Sequence, residues 1–397
     1  MIIQPQIKGV IARNCHPIGC KAAIDAQIHH AQQQRPTPGL PKNVLVLGAS
    51  SGFGLASRIA LTFGPANAST IGVSFERGMS EKGIGSAGWY NNIYVRDAAK
   101  QAGRMTSNIV GDAFSEQTRQ TVADTIRTQC GGKIDLVVYS LATGIRPTPE
   151  TGEFWRSSIK PVGEAVDGYS INFENNSLSH LTLPPASEQE IEDTVKVMGG
   201  EDWLSWMQFL QHNDLLSEGC RTVAYSYIGP AHTHAIYHKG TLGLAKTHLH
   251  QTRHDIDALL SDIHGKADIA VCKALVTKAS VFIPGLTPYL LALYRVMKAK
   301  GLQEGCIEQM DRLFYQKWND DEDRDDEGLI RIDDWELQQD VQDEVNAILA
   351  EMTPDNFDQV ADYTGVLTDF LQLNGFGFPE VDYQAPVSIE QLKALTP

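Results

Sequence analysis

The chain has 397 residues, 42% of them hydrophobic, with a formal net charge of −16 and an isoelectric point near 5.2. A chain this acidic is repelled by nucleic-acid backbones, and no apolar run reaches the roughly 18 residues that a membrane helix needs. The composition therefore argues against a nucleic-acid-binding protein and against a membrane protein, and it favours a globular protein with a large core.

The first 40 residues form a polar lead-in with one predicted helix, at residues 20–34. The N-terminal sequence MIIQPQIKGVIARN lacks the positive segment and apolar core of a secretion signal. The six cysteines are scattered without a CxxC pair, which is typical of free thiols in a reducing compartment. We therefore expect a cytoplasmic protein.

Apolar segments and helical segments alternate from residue 43 onwards. We predict strands at Asn43–Leu47, 69–75, 105–110 and Ile134–Tyr139, and helices at 54–63, 94–103 and 118–130. Strands that alternate with helices form right-handed crossovers and hence a parallel sheet. The expected fold class is α/β, a Rossmann-type doubly wound parallel sheet that resembles an enlarged short-chain dehydrogenase.

Residues 146–185 break this alternation. The segment GYSINFENNSLSHLTL alternates polar and apolar residues around Asn175 and Asn176, which predicts a β-hairpin insertion. After it we predict strands at 221–227 and 269–275, and helices at Glu188–Met198, 202–213, 244–262 and 289–301. The C-terminal extension, residues 302–397, holds a charged segment at 320–336 and a helix at 336–352. We expect one elaborated domain spanning residues 1–397.

A glycine-rich loop follows the first strand of the alternation and opens a helix. Its glycines are Gly48, Gly52 and Gly54, in the sequence GASSGFG. Gly48 permits a tight exit from the strand, Gly52 lets backbone N–H groups approach a pyrophosphate, and Gly54 permits close helix–strand packing. The predicted cofactor-binding residues in this loop are Gly48, Ala49, Ser50, Ser51, Gly52 and Phe53. A surface turn is the alternative, but the flanking strand and helix favour a dinucleotide site.

The next strand ends in Phe75 and Glu76, both of which we expect at the cofactor. A carboxylate at this position accepts hydrogen bonds from the adenosine ribose hydroxyls and repels a 2′-phosphate, so it favours NAD(H) over NADP(H). Arg77 beside it could instead accept a phosphate. The following two strands end near Asp112 and Ala113, and near Leu141 and Ala142. Ligands bind at the carboxyl ends of parallel strands, so we expect Asp112–Ala113 at the adenine and Leu141–Ala142 under the nicotinamide ribose.

Histidines crowd the segment between residues 225 and 250, at positions 232, 234, 238, 248 and 250. A zinc site needs three or four ligands that converge, whereas His248 and His250 are predicted on opposite sides of one helix. Residues 323–334 imitate a calcium loop, but they end on Asp334 where a bidentate Glu belongs. We predict no metal site.

The same segment contains a tyrosine and a lysine that suit reductase chemistry. Position 241 is threonine, so the YxxxK pattern of short-chain dehydrogenases is absent. Tyr237 and Lys246 stand nine residues apart and would lie on opposite faces of one helix. They can therefore cooperate only if Tyr237 lies before the helix, with Gly240 as a breaker and Thr241 as a possible N-cap.

At this point the chain resembles a known family. Tyr237-x8-Lys246, preceded by Tyr227, is similar to the FabV-type enoyl-acyl-carrier-protein reductases and the related trans-2-enoyl-CoA reductases. Other stretches carry the resemblance too: the MII start, GASSGFG, SFE at 74, AGWYN at 87, VYSLA at 138, VTKAS at 276, YL at 289 and IDDWE at 332. The family often has SLASP where this chain has SLATG, and Gln where it has Lys278.

The resemblance implies NADH as the hydride donor, Tyr237 as the proton donor, Lys246 on the cofactor and Tyr227 at the substrate. It also implies that Leu275, Val276 and Thr277 touch the nicotinamide end. The reaction would be reduction of the C2–C3 double bond of a trans-2-enoyl thioester, carried by CoA or by acyl-carrier protein, in fatty acid synthesis. A tyrosine with an ordinary pKa near 10 suits the acid, and a lysine cation steadies the developing anion.

Several alternatives stay open at this stage. The apolar sequence from residue 281 to 297 predicts either a core helix or a lid over the acyl chain. Tyr227 could be a packed core residue. The competing functions are a carbonyl reductase of the short-chain type and a redox-sensing NAD-binding regulator that does no chemistry. We expect a monomer.

Overall fold

The computed structural model describes residues 1–81, 83–141, 143–148, 152–318 and 324–397. The strands are β1 Ile7–Lys8, β2 Ile11–Ala12, β3 Asn43–Leu47, β4 Ser69–Ser74, β5 Thr106–Val110, β6 Ile134–Tyr139, β7 Ile145–Pro147, β8 Phe154–Arg156, β9 Val166–Asn172, β10 Ser177–Leu183, β11 Leu216–Ser226, β12 Lys266–Val271 and β13 Ile330–Arg331. The helices are α1 Pro17–Ala31, α2 Gly52–Phe63, α3 Ala87–Gln101, α4 Glu116–Gln129, α5 Glu188–Met198, α6 Glu201–His212, α7 His234–Tyr237, α8 Thr241–Leu260, α9 Leu286–Lys300, α10 Cys306–Arg312, α11 Gln339–Glu351, α12 Phe357–Val360, α13 Tyr363–Gln372 and α14 Ile389–Ala394.

A parallel sheet of seven described strands organises the molecule, in the order β13-β12-β11-β6-β3-β4-β5. From β3 the chain moves outward to β4 and β5, then returns to place β6 on the other side of β3. The strand order therefore reverses between β3 and β6, and ligands of open α/β sheets bind in the crevice at such a switch point. The predicted Rossmann-type α/β fold is confirmed.

Both faces of the sheet are buried, as the continuous apolar strands predicted. Along β3, Leu45 and Leu47 pack into one apolar core with α4, α6 and α8. Val44 and Val46 point the other way, into a second core with α1, α2 and α10. Successive side chains of a strand alternate between faces, so one five-residue strand contributes to two cores.

A third apolar core lies beside the sheet and is built around α9. This helix packs with the β9–β10 hairpin, α11 and α13, and its residues from Leu286 to Leu293 are all buried. Of the two predictions for the apolar sequence from residue 281 to 297, the core helix is the one that describes α9. The β9–β10 hairpin turns at residues 173–176, where Asn176 adopts a left-handed φ of 55°, so the predicted insertion is present. A second antiparallel pair, β7 with β8, lies in the same insertion.

Some element boundaries differ from the predictions. The helix expected at residues 94–103 begins at Ala87, after Ser86 in the N-cap position. The strand expected at 269–275 is Lys266–Val271, because the chain leaves the sheet at Cys272 to cross its edge. The helix expected from residue 336 begins at Gln339, because the preceding residue, Gln338, has a non-helical ψ of 137°.

The expected N-cap role of Thr241 is wrong. Gly240 is the N-cap of α8, and Thr241 is its first helical residue. The Thr241 hydroxyl donates to the Ser158 carbonyl oxygen at 2.6 Å and accepts from the Lys160 N–H at 3.1 Å, so it ties the insertion to the helix start. Within the described residues, no helix combines the length and the apolarity that crossing a bilayer requires.

Candidate active site

The glycine-rich loop occupies the switch point of the sheet. Gly48 has a left-handed φ of 89°, and a Cβ there would lie 2.2 Å from the Ser140 carbonyl oxygen at the end of β6. A Cβ on Gly54 would lie 2.1 Å from the Gly48 carbonyl oxygen. Both contacts are closer than any side chain allows, so these two glycines let the loop, α2 and β6 close tightly on one another.

Gly52 differs from its neighbours because it faces open space. Its φ is 55°, and the nearest atoms to an added Cβ, in the Thr277 side chain, lie 3.9 Å away. The N-cap residue Ser51 makes no side-chain capping bond, so the first N–H groups of α2 remain available. Free N–H groups and the positive end of a helix dipole fit a pyrophosphate. The predicted residues from Gly48 to Phe53 thus form a loop that fits a dinucleotide.

Glu76 lies directly beside this loop. One carboxylate oxygen accepts a hydrogen bond from the Ser50 hydroxyl at 2.6 Å, and the other accepts one from the Ser86 hydroxyl. A Cβ on Gly88 would lie 2.0 Å from the first of these oxygens, so a larger residue there must displace the carboxylate. Two hydroxyls and the small size of Gly88 therefore keep the carboxylate beside the glycine-rich loop. Phe75 is 82% exposed at the same edge.

The other predicted cofactor residues that the structure describes follow strands β5, β6 and β12 of the sheet. Asp112 and the buried Ala113 follow β5, where the Asp112 carboxylate accepts from the Phe114 N–H at 2.9 Å. Leu141 follows β6, while Ala142 lies outside the described residues. The residues from Leu275 to Thr277 are buried, and Thr277 faces Gly52.

Tyr237 lies before the helix that carries Lys246, as the spacing required. It ends the one-turn helix α7, and α8 begins at Thr241. The Tyr237 ring is buried and meets the Tyr227 ring edge-on, with centroids 4.5 Å apart and an interplanar angle of 76°. The Lys246 ammonium donates to the Tyr225 carbonyl oxygen at 2.9 Å, which holds it against the end of β11.

Behind the two tyrosines is a buried carboxyl group, Glu336. One of its oxygens accepts from the Tyr227 hydroxyl at 2.9 Å and from the Tyr289 hydroxyl at 2.7 Å, and the other accepts from the Ala274 N–H at 2.7 Å. The fully buried Lys273 contributes a cation that acts on this carboxyl group, and its ammonium has no hydrogen-bond partner in the described part of the chain. Glu336 thus holds the wall of the site together.

Burial controls the protonation of these groups. It raises the pKa of the Tyr237 phenol well above 10, with a further contribution from the Glu336 charge, so the expectation of an ordinary tyrosine pKa is wrong. Burial also raises the pKa of the Glu336 carboxyl. It lowers the pKa of the Lys246 ammonium to about 8. Tyr237 therefore keeps its proton throughout the neutral pH range, whereas the Lys246 ammonium titrates close to that range.

The histidines of this segment separate into different environments. His248 accepts a hydrogen bond from the Gly200 N–H at 3.0 Å, whereas His250 lies 2.8 Å from the Ser226 hydroxyl. His234 bonds to the Gly229 carbonyl oxygen at 3.1 Å. In the parts of the chain that the structure describes, no three His, Cys, Asp or Glu residues converge as metal ligands would.

The imitation calcium loop begins outside the described residues, at position 323. Of its acidic residues, Asp325 uses its carboxylate for the N–H groups of Glu327 and Leu329 and for the Arg331 guanidinium. Asp334 pairs with Arg312 and Lys317. Both carboxylates thus serve as local structural acceptors.

Comparison with known proteins accounts for this arrangement. A family model described as the trans-2-enoyl-CoA reductase catalytic region matches residues 83–318, and one described as the NAD(P)H binding domain of trans-2-enoyl-CoA reductase matches residues 2–81. The chain belongs to the trans-2-enoyl-CoA reductase family. The resemblance inferred from Tyr237, Lys246 and the glycine-rich loop is confirmed.

Relatives of this reductase family match over their whole length. An enoyl-[acyl-carrier-protein] reductase [NADH] 2 from Photobacterium profundum is 56% identical, with 100% of both chains covered. A trans-2-enoyl-CoA reductase [NADH] from Clostridium beijerinckii is 46% identical, again with 100% of both chains covered. The crystal structure of a trans-2-enoyl-CoA reductase from Clostridium acetobutulicum in complex with NADH superposes with a TM-score of 0.97 at 44% identity, covering 100% of each chain.

A third family model, described as an enoyl reductase FAD binding domain, matches residues 324–387. Two of the glycines in this segment are closely packed. A Cβ on Gly365 would lie 2.2 Å from the Asp362 carboxylate, and one on Gly375 would lie 2.4 Å from the His16 carbonyl oxygen. These glycines pack against protein atoms instead of opening a phosphate cradle. The segment contributes Glu336 to the site and apolar side chains to the third core.

Sequence reasoning missed Glu336, Tyr289 and Lys273 as parts of the site wall. The motif IDDWE contains Glu336, but its sequence neighbours carry no sign of what the carboxyl group meets. A glutamate beside a tryptophan in an otherwise buried segment was the one available signal, since buried carboxyl groups need partners. Tyr289 and Lys273 stand in apolar runs that predict core positions only.

Proposed function

We propose that this protein reduces the C2–C3 double bond of trans-2-enoyl thioesters with NADH, in fatty acid synthesis. The observation that carries the proposal is the position of Tyr237. A buried phenol that keeps its proton lies before α8, and Lys246 follows on that helix, next to a dinucleotide crevice. The full-length relatives named for this reaction support it. The NADH complex of the Clostridium acetobutulicum reductase supports the choice of cofactor.

We infer that the crevice from Gly48 to Thr277 holds the cofactor. The loop N–H groups would bind the pyrophosphate, Glu76 would accept hydrogen bonds from the adenosine ribose hydroxyls, and Asp112 and Ala113 would contact the adenine. Leu141 would lie under the nicotinamide ribose and Leu275–Thr277 would contact the nicotinamide end, while the expected ribose contact of Ala142 stays a prediction from the sequence. Bound NADH supplies the hydride that adds at C3 of the substrate.

Tyr237 has the role of acid. Negative charge develops on the thioester oxygen as C3 accepts the hydride, and a phenol that donates a hydrogen bond there stabilises it and then supplies the proton. Lys246 binds ribose hydroxyls and places positive charge nearby. Its pKa of about 8 leaves most of the ammonium charged at neutral pH.

Tyr227 also lies at the substrate in this proposal. A phenol has one proton, so Tyr227 donates either to Glu336 or to the thioester oxygen. When Glu336 is protonated it can donate to the Tyr227 oxygen, which frees the phenol proton for the substrate. The raised pKa of the buried Glu336 carboxyl brings this protonated form closer to neutral pH.

The acyl chain needs an apolar slot beside Tyr237. Tyr237 belongs to the same buried cluster as Val281 and Leu286, at the turn that leads into α9. We infer that this turn, Ser280–Phe282, borders the acyl chain, while α9 itself is a core helix.

The test is NADH oxidation with crotonyl-CoA, dodecenoyl-CoA and dodecenoyl-acyl-carrier protein, compared in parallel. Turnover with at least one of them supports the proposal, and the ranking identifies the carrier and the chain length. Tight NAD binding without turnover of any enoyl thioester would instead indicate a redox-sensing regulator. Turnover of ketones or aldehydes alone would indicate a carbonyl reductase.

We also propose that the protein is a cytoplasmic monomer built as one elaborated domain over residues 1–397. Its six cysteines are free, and five of them are buried, which suits a reducing compartment. Light scattering coupled to size-exclusion chromatography should give a mass near 43.6 kDa, and twice that mass would contradict the monomer.

A further inference from the structure

A cleft of about 210 Å³ lies between the N-terminal strands and the turn that follows Thr277. Among the described residues, its lining contains three cationic side chains, Arg13, Arg77 and Lys278, and no carboxylate. This is unexpected in a chain with 49 acidic and 33 basic residues. The three cations come from separate parts of the sequence, so the fold has gathered them at one place.

These three cations form no ion pair among the residues that the structure describes. In the described residues, no carboxylate lies within ion-pair distance of Arg13, Arg77 or Lys278, and none of the three side chains donates a hydrogen bond. The arginines of the core behave differently: Arg312, for example, donates to Glu304 at 2.7 Å. Unpaired guanidinium and ammonium groups in a cleft favour an oxyanion such as a phosphate.

The cleft is partly apolar as well. Ile11 and Phe282 line it and are 46% and 52% exposed, and Val281 lines it from the same turn as Phe282. An amphipathic ligand, with a phosphate at one end and an uncharged arm, matches this combination better than an inorganic ion does.

The cleft adjoins the site on two sides. Lys278 directly follows Thr277, which faces Gly52, and Val281 belongs to the buried cluster that contains Tyr237. Ser86, which lines the cleft, is one of the two residues that donate to Glu76. A ligand that reaches Tyr237 past the Ser280–Phe282 turn would therefore pass these cations.

We propose that Arg13 and Lys278 bind the phosphate of the 4′-phosphopantetheine arm that carries the enoyl group. This inference rests on the proposed function, since it assigns the carrier of the same thioester substrate. CoA and acyl-carrier protein share this arm and its phosphate, so one site serves both carriers. It also gives a net-negative enzyme a local positive surface for an acidic carrier.

The test combines protein variants with truncated substrates. The variants are Arg13→Gln, Lys278→Gln and the double variant, and the matched control is Lys100→Gln, a cation on α3 outside the cleft lining. The substrates are crotonyl-CoA, crotonyl-acyl-carrier protein and crotonyl-N-acetylcysteamine, which lacks the phosphate. NADH is titrated separately with each protein.

We expect the double variant to raise KM for both phosphate-bearing substrates about tenfold or more, with each single variant in between. Its kcat/KM for crotonyl-N-acetylcysteamine and its KM for NADH should match those of wild type and of the Lys100→Gln control. Salt should raise the wild-type KM for crotonyl-CoA more steeply than that of the double variant, because the lost contacts are charged.

Three results would overturn the proposal. A raised KM for NADH would assign the cations to the cofactor phosphates. Equal losses with all three substrates, or no loss with any, would remove the phosphate role. A raised KM for crotonyl-CoA alone would assign the cations to the nucleotide part of CoA. Failure of the proposed function is distinguishable from all of these, because wild type itself would then turn over no enoyl thioester.

Discussion

Glu76 should set the preference for NADH, and its replacement gives the sharpest test of the cofactor site. The structure fixes the Glu76 carboxylate by the Ser50 hydroxyl at 2.6 Å and by the Ser86 hydroxyl, so it cannot swing away from an incoming 2′-phosphate without losing both bonds. Glu76→Ala removes the charge and the ribose acceptor together. Glu76→Gln removes only the charge and keeps a polar side chain of the same length.

Coulomb's law gives the size of the effect. A 2′-phosphate brings a charge of about −2, and each unit of charge roughly 4 Å from a carboxylate costs about 4 kcal/mol at an effective dielectric constant of about 20. Glu76 is only half-buried, so solvent screens much of this repulsion. Even a quarter of the cost for one charge, about 1 kcal/mol, discriminates about fivefold. NADH gains hydrogen bonds to Glu76 in addition.

The assay is kcat/KM for NADH and for NADPH in wild type, both Glu76 variants and Glu81→Ala, at low and moderate salt. Glu81 is an exposed carboxylate in the same loop and serves as the control. Wild type should prefer NADH strongly, and Glu81→Ala should not differ. Glu76→Ala should reduce the preference for NADH over NADPH several-fold, because it weakens NADH binding and allows NADPH to bind beside Arg77. Glu76→Gln should also reduce the preference for NADH, with a smaller loss of kcat/KM for NADH.

Gly88→Ala offers an independent approach to the same carboxylate. The added Cβ would lie 2.0 Å from a Glu76 oxygen and must displace it, so this variant should lose NADH preference while Glu76 is still present. Preference for NADPH in wild type would show that Arg77 dominates. Full NADH preference in Glu76→Ala would place discrimination elsewhere, and the reasoning about the end of β4 would be wrong.

Three further variants test the chemistry and the wall of the site. Tyr237→Phe should lower kcat/KM at least about 100-fold with little change in NADH affinity, as stopped-flow binding and steady-state rates would show, and near-normal turnover would contradict the acid role. Lys246→Met should weaken NADH binding and slow turnover. In wild type, kcat/KM for NADH should fall as pH rises through about 8, where the Lys246 ammonium loses its proton, and the variant should lack this limb. Glu336→Ala should destabilise the fold by about 3–5 kcal/mol in urea unfolding, because it leaves the buried hydroxyls of Tyr227 and Tyr289 without their acceptor and removes a carboxylate that acts on the buried Lys273. An unchanged midpoint would show that the carboxyl group is dispensable.

Local patterns in the sequence were sufficient for the sheet and for the cofactor loop. The strand Asn43–Leu47 is apolar at nearly every position because both faces of a parallel sheet are covered, and the observed strand has the predicted bounds. Gly48 and Gly54 mark a turn that only glycine can make, which is a property of the backbone at those positions. The separation of Tyr237 from α8 also followed from the chain itself, since nine helical steps cannot bring it to Lys246.

Contacts between distant segments were decided by the tertiary structure alone. Tyr227 and Glu336 are 109 residues apart, and they meet because α9 and the C-terminal segment pack over the end of β11. Arg13, Arg77 and Lys278 lie in three unconnected stretches and share a cleft for a similar reason. A helical or strand period constrains only neighbours within a few residues, so it fixed the cofactor loop and the order of Tyr237 and Lys246. The packing of complete helices and strands decides which buried carboxyl group and which cations surround the cofactor loop, Tyr237 and Lys246. No single stretch of the sequence contains that information.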